Sequence, residues 1–116
     1  MTQPKIQAQQ LGTASFTVQL VLEAGADNTY TFIQSARFPF TIDAAYFQTD
    51  TGTITANVRI NATSVTGLGA LSLTSTPDDA MASALNSVAV GDKVNVVFSA
   101  NAAATFVSLM LECTRT

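Results

Sequence analysis

The sequence predicts an all-β protein, an antiparallel β-sandwich of Ig-like or jelly-roll type, with seven to eight strands and at most one short helical turn. Three observations carry this expectation. Apolar and polar residues alternate in short runs, the period of a strand with one buried and one wet face. Gly, Asn, Asp and Pro punctuate those runs. Helical patterning is confined to one short stretch. Strands at such spacing, with little helix, are the signature of sandwiches and jelly rolls.

Residues 1–12, MTQPKIQAQQLG, have no periodicity and form an extended arm ahead of a domain at 13–116. Pro4 favours extended backbone, and the arm is otherwise mostly polar. Such a segment is either a frayed terminus or an arm that orders against a partner. The first strand is 14–23, ASFTVQLVLE, with Phe16, Val18, Leu20 and Leu22 on one face. A turn at 24–28 holds Gly25, and 29–34, TYTFIQ, is the second strand. In 37–48, RFPFTIDAAYFQ, Pro39 lacks a ladder donor, so the strand is an edge or begins after it. Tyr46 and Phe47 are adjacent and cannot share a face, so one of them is exposed or at an interface.

The stretch 52–74, GTITANVRINATSVTGLGALSLT, organises the rest. Ile54, Ala56, Val58 and Ile60 face inward, Asn61-Ala62 turns the chain, and Leu71 and Leu73 return it as a hairpin. A lone hairpin is unstable in water, so it needs neighbours. Residues 76–85, TPDDAMASAL, are the helical candidate: Thr76 caps, Pro77 takes the first position, and Asp78 and Asp79 meet the positive end of the dipole. Gly91-Asp92 is a turn, 93–99 is a strand with Val94, Val96 and Phe98 inward, and 100–104 is a loop. Residues 106–113 close the fold as a central strand, Val107, Leu109, Leu111 and Cys113 alternating against Phe106, Ser108, Met110 and Glu112.

Composition narrows function. Of the 116 residues only 11% are charged, against about 25% in ordinary domains, while 47% are hydrophobic. The polar surface is therefore built from Thr, Ser, Asn and Gln, which suits a protein packed in an assembly. A net charge of −3 with five scattered cations argues against nucleic-acid binding and against a polybasic membrane patch. No apolar run approaches a bilayer span, and the first ten residues lack a signal-peptide core, so synthesis in a cytoplasm is expected.

Catalytic chemistry is not indicated. There is no His, hence no His-based triad or imidazole metal site. The single cysteine, Cys113, sits in an apolar run as a buried small hydrophobe. Asp50, Asp78, Asp79 and Asp92 lack the spacing of a calcium loop, and the sequon at Asn61 is explained by a turn. The expectation is a protein that is not an enzyme and needs no cofactor or metal. Tyr30, Tyr46 and Phe47 are candidates for a shallow sugar-binding face, weakened by the lack of tryptophan.

The segments GTITANVRINATSVTG at 52–67, SVAVGDKVNVVFS at 87–99 and TFVSLMLECTR at 105–115 resemble a β-sandwich of tailed-bacteriophage virion proteins. Asn61-Ala62, Gly91-Asp92 and Arg115 stand at the pattern's turns and end; the family's usual glycine after the Asn is Ala62 here. The resemblance covers about 37–116 and implies a virion structural role as a capsid decoration (cement) protein, a head fibre or part of a tail fibre. The small size and polar arm single out decoration, with the major capsid protein as partner, a homotrimer over capsid three-fold axes and a location on the capsid surface. It also implies that Gln3, Pro4, Lys5 and Ile6 of the arm contact the partner, with Tyr46 and Phe47 on the domain. The alternative is a receptor- or glycan-binding module using Tyr46, Phe47 and nearby Asn and Thr side chains.

Overall fold

The computed structural model describes residues 14–116, which form nine antiparallel strands and no helix. They are β1 (Ser15–Ala24), β2 (Thr29–Ile33), β3 (Phe40–Gln48), β4 (Thr51–Ile60), β5 (Thr63–Ser64), β6 (Leu71–Leu73), β7 (Asp78–Met81), β8 (Ser87–Val88) and β9 (Val94–Arg115). The arm at 1–12, with Gln3, Pro4, Lys5 and Ile6, lies outside the described residues.

β9 is the spine. β1 and then β2 run along one side of it, and β3 and then β4 along the other. The far side of β3 carries β7 and β8, and the far side of β4 carries β5 and β6. The result is three long strands with short ones at one margin, curled into the antiparallel β-sandwich or jelly-roll architecture that the alternation predicts. Twenty-two residues of straight strand would reach about 70 Å, but the longest dimension of the molecule is 53 Å. β9 therefore bends, and its two halves fold their inner faces around one core.

The bend lies at 99–106. Thr51, Thr53 and Thr55 of β4 oppose Thr105, Ala102 and Ser99, so each two-residue step of β4 meets three residues of β9. These are β-bulges, which bend a strand and reset its facing. The resetting is visible in the core. Val94, Val96 and Phe98 point inward before the bend, and Val107, Leu109, Leu111 and Cys113 after it. Even positions give way to odd ones. Ala100, Ala103 and Phe106 take left-handed backbone, at φ of 54°, 55° and 47°. Gly52 (φ 73°) faces the bend from β4; a Cβ there would lie 2.3 Å from the Ala103 carbonyl oxygen. From the other side the 25–28 loop closes over it. Asn101 Nδ2 donates to the Gly25 carbonyl at 3.0 Å, and Asn101 Oδ1 accepts from the Ala104 N–H at 3.1 Å.

The two turns singled out in the sequence meet at the far end. Asn61 is left-handed (φ 56°), its Nδ2 donates to Asp92 Oδ1, and its Oδ1 accepts from the Lys93 N–H. Asp92 also accepts from the Ala89 N–H; that bond first, and the one from Asn61 second, holds its carboxyl below the usual range. Asn95 is buried but donates to the Asn61 carbonyl, so its amide is not stranded.

Three expectations are corrected. The described residues form nine strands rather than seven to eight, because the short strands β5 to β8 beside β3 and β4 are too brief to alternate visibly in sequence. Residues 76–85 contain no helix: 78–81 is β7, paired with β3 through Phe47↔Asp78 to Ala44↔Met81. The helix-start signals are local, and the open edge of β3 outweighs them by satisfying backbone groups along its length. Residues 93–99 and 106–113 are not separate strands joined by a loop, because the bulged 100–104 segment stays within β9. The further expectations of a hairpin around Asn61, a strand beginning after Pro39 and a central closing strand match what is found.

Candidate functional site

The inner face of the β1–β9–β3 half belongs to the core, and its outer face carries three of the exposed large hydrophobic side chains, Val21, Tyr46 and Phe106. Register fixes its layout. Gln19, Met110 and Tyr46 form one row across the three strands, and Val21, Ser108 and Gln48 form the next. Phe106 stands at the end of the face nearest the bend. Val21, Phe106 and Tyr46 are 56%, 53% and 39% exposed, and Met110 between them is half-buried. Phe106 owes its outward position to the left-handed backbone that ends the bend.

Two depressions run along this face. One, of about 440 Å³, is lined by Gln48, Thr49, Asp50, Phe106 and Ser108. The other, of about 200 Å³, lies beside Tyr46, Pro77, Asp78 and Met110. They share Gln48 and Ser108 in their linings. Side-chain amides, hydroxyls and the ring edges of Tyr46 and Phe106 are what they offer. The carboxylates of Asp50 and Asp78 are the charges that line them. Such a surface suits an uncharged, partly apolar partner and disfavours an anionic one.

The structure separates the two domain residues expected at a binding face. Tyr46 reaches the surface, whereas Phe47 is 6% exposed and packs in the core. Phe47 also contributes to the lining of the smaller depression. Tyr30 is also taken up by packing, edge-on to Phe98 at 5.7 Å. A sugar platform built from Tyr30, Tyr46 and Phe47 together is therefore not assembled. Phe106, Met110 and Val21 were not marked as surface partners by the sequence. The alternation in 106–113 does place Phe106 and Met110 on one face, but only the register with β3 brings Tyr46 beside them.

Chemically reactive groups are sparse. Cys113 is fully buried, and its thiol is pushed up to about 12, by burial first and then by Asp43 and Glu112. Asp43 accepts hydrogen bonds from the Thr41 and Thr114 hydroxyls, which occupy both its oxygens. Among the described residues no three His, Cys, Asp or Glu side chains gather as a metal site, and no helix is long and apolar enough to cross a membrane.

No family model matches the chain, and no curated protein matches it. One similar solved structure is described as "Structure of infectious bursal disease virus Gx strain". The two chains are 18% identical with a TM-score of 0.43, over 89% of this chain. This chain spans 31% of the length of that one.

Proposed function

We propose that the protein is a structural component of a tailed-bacteriophage virion, a decoration protein that binds across adjoining capsid subunits and stabilises the head. The observation that carries this reading is the outer face of the β1–β9–β3 half. Val21, Tyr46, Met110 and Phe106 stand around Ser108, with Gln19 and Gln48 completing the rows, on a chain with few charges. Apolar side chains gathered on one face are the raw material of a contact surface. The turn-and-strand pattern shared with virion sandwiches supports the same reading, and no step in it requires catalysis. The partner is the major capsid protein, and the site of action is the capsid surface. Burial of the patch occurs only on the assembled shell, so binding would stabilise the shell by mass action, by about 2.7 kcal/mol per site at a hundredfold excess over Kd.

The test is co-sedimentation with purified capsids, using Tyr46→Ala and Phe106→Asn. Asn tolerates the left-handed backbone that Phe106 adopts, so the second variant removes the ring and keeps the bend. The expected outcome is at least tenfold weaker capsid binding by each, with unchanged melting of the free protein. Unchanged capsid binding by both variants would remove the patch from the interface.

The exposed ring of Tyr46, with Gln48 two residues along β3 and Gln19 across Met110, favours one second reading, a fibre or tail module that binds a host glycan. A glycan array with a saturable ligand that is lost in Tyr46→Ala would support it, and a blank array would remove it.

A further inference from the structure

β1 is a ten-residue strand, SFTVQLVLEA, at the margin of the sheet. It pairs with β9 in unbroken register from Ser15↔Thr114 to Leu22↔Val107. Among the described residues no strand pairs with its other side. Its inward row, Phe16, Val18, Leu20 and Leu22, packs on the core yet stays only half-buried. The margin formed by β5 to β8 is different. Those strands are two to four residues long, and β7 exposes Asp78 and Asp79. Short strands and charges are how sheets prevent edge-to-edge pairing, along with bulges and prolines. β1 has no bulge, no proline and no Lys or Arg, and Glu23 is its single charge.

We propose that β1 is a self-association edge, at which the β1 of a second copy pairs antiparallel about a two-fold axis through Gln19. In that register Phe16 meets Leu22 and Val18 meets Leu20 across the axis. Eight half-buried apolar side chains then form one row over two molecules, completing the cover that each core lacks on that side. On the outer face Thr17 meets Val21, Ser15 meets Glu23, and Gln19 meets its own copy. No charge opposes its like. The other segment in covalent reach of this edge is 1–13, but its sequence does not match. It carries Pro4, Lys5 and a series of glutamines, and it lacks an alternating apolar row to set against Phe16, Val18, Leu20 and Leu22. This pairing needs no capsid, so it stands or falls separately from the decoration reading. It also differs from the trimer that the virion resemblance implies, because a two-fold edge contact closes at two copies.

The experiment is sedimentation of the full chain over a concentration series, with Gln19→Lys, Gln19→Glu and an equimolar mixture of the two. Gln19 is exposed, so neither variant disturbs the core. The expected wild-type species is a dimer. Each variant opposes like charges at the axis and should weaken dimerisation at least tenfold, and the mixture should restore it as a heterodimer. A wild-type monomer throughout, a trimer, or a dimer that ignores both substitutions would each overturn the proposal.

Discussion

From Val107 to Cys113 every second side chain of β9 is buried, whereas from Ser99 to Ala103 none is. The same strand is thus held in two ways. Its straight lengths are fixed by what their side chains bury: Val94, Val96 and Phe98 at one end, Val107, Leu109 and Leu111 at the other. Its bend is fixed by backbone conformation and hydrogen bonds, with the exposed residues 99–103 contributing almost nothing to the core and Ala104 alone entering it. The contrast teaches that two kinds of substitution should destabilise the protein, and that they should do so at different places.

The largest effect is expected where the two kinds of restraint meet. Gly52 has φ 73° and lies against the carbonyls of Ala102 and Ala103, with no space for a Cβ. Gly52→Ala adds both left-handed strain and a collision with backbone that cannot rotate away. Chemical denaturation should show a loss above about 4 kcal/mol. A loss under about 1 kcal/mol would mean that the bend yields easily, and the contrast with the straight lengths would fail.

The matching probe of a straight length is Leu109→Ala. Leu109 is fully buried at the centre of the β1–β9–β3 half. Truncation leaves a cavity and should cost about 3 kcal/mol. Asn101→Ala tests the bend without touching the core. Its two side-chain hydrogen bonds, to Gly25 and from Ala104, tie the 25–28 loop over the bulge. Their loss should cost about 1–2 kcal/mol. Hydrogen exchange should rise first at Gly25, whose N–H donates to the Ala104 carbonyl.

The same contrast explains what the sequence revealed. Straight lengths announce themselves, because burial imposes a period of two; β1, β4 and both ends of β9 could be read from alternation alone. The bend could not. Between Phe98 and Val107 the inward positions change from even to odd, so a period-two pattern breaks and the stretch ANAAA reads as a loop. Its true state depends on Gly52 and the 25–28 loop closing on it from parts of the chain distant in sequence. β7 was missed for a related reason. Thr76, Pro77, Asp78 and Asp79 satisfy local helix rules, and only the presence of β3 alongside makes a strand the better solution. Of the outer-face patch, Tyr46 was legible as one of two adjacent aromatics. Its company, Phe106, Met110 and Val21, is set by register across three strands, which no single segment encodes.

The finest test compares two neighbouring alanines. Ala102 and Ala103 are both exposed and both within the bulged segment, and their side chains contribute little to packing. Ala103 has φ 55°, while Ala102 is not among the left-handed residues. A left-handed alanine carries a steric penalty of roughly 1–2 kcal/mol that glycine does not. Glycine in turn costs roughly 0.5–1 kcal/mol in chain entropy wherever it is placed. The two terms oppose each other at Ala103, and the steric one is the larger, so Ala103→Gly should raise stability by about 0.5 kcal/mol. At Ala102 only the entropy remains, so Ala102→Gly should lower stability by a similar amount. Paired melting curves would show shifts of opposite sign, each about 2–3 °C. If both variants lost stability equally, left-handed strain would not be what shapes the bend, and its curvature would have to come from Gly52 and the 25–28 loop alone.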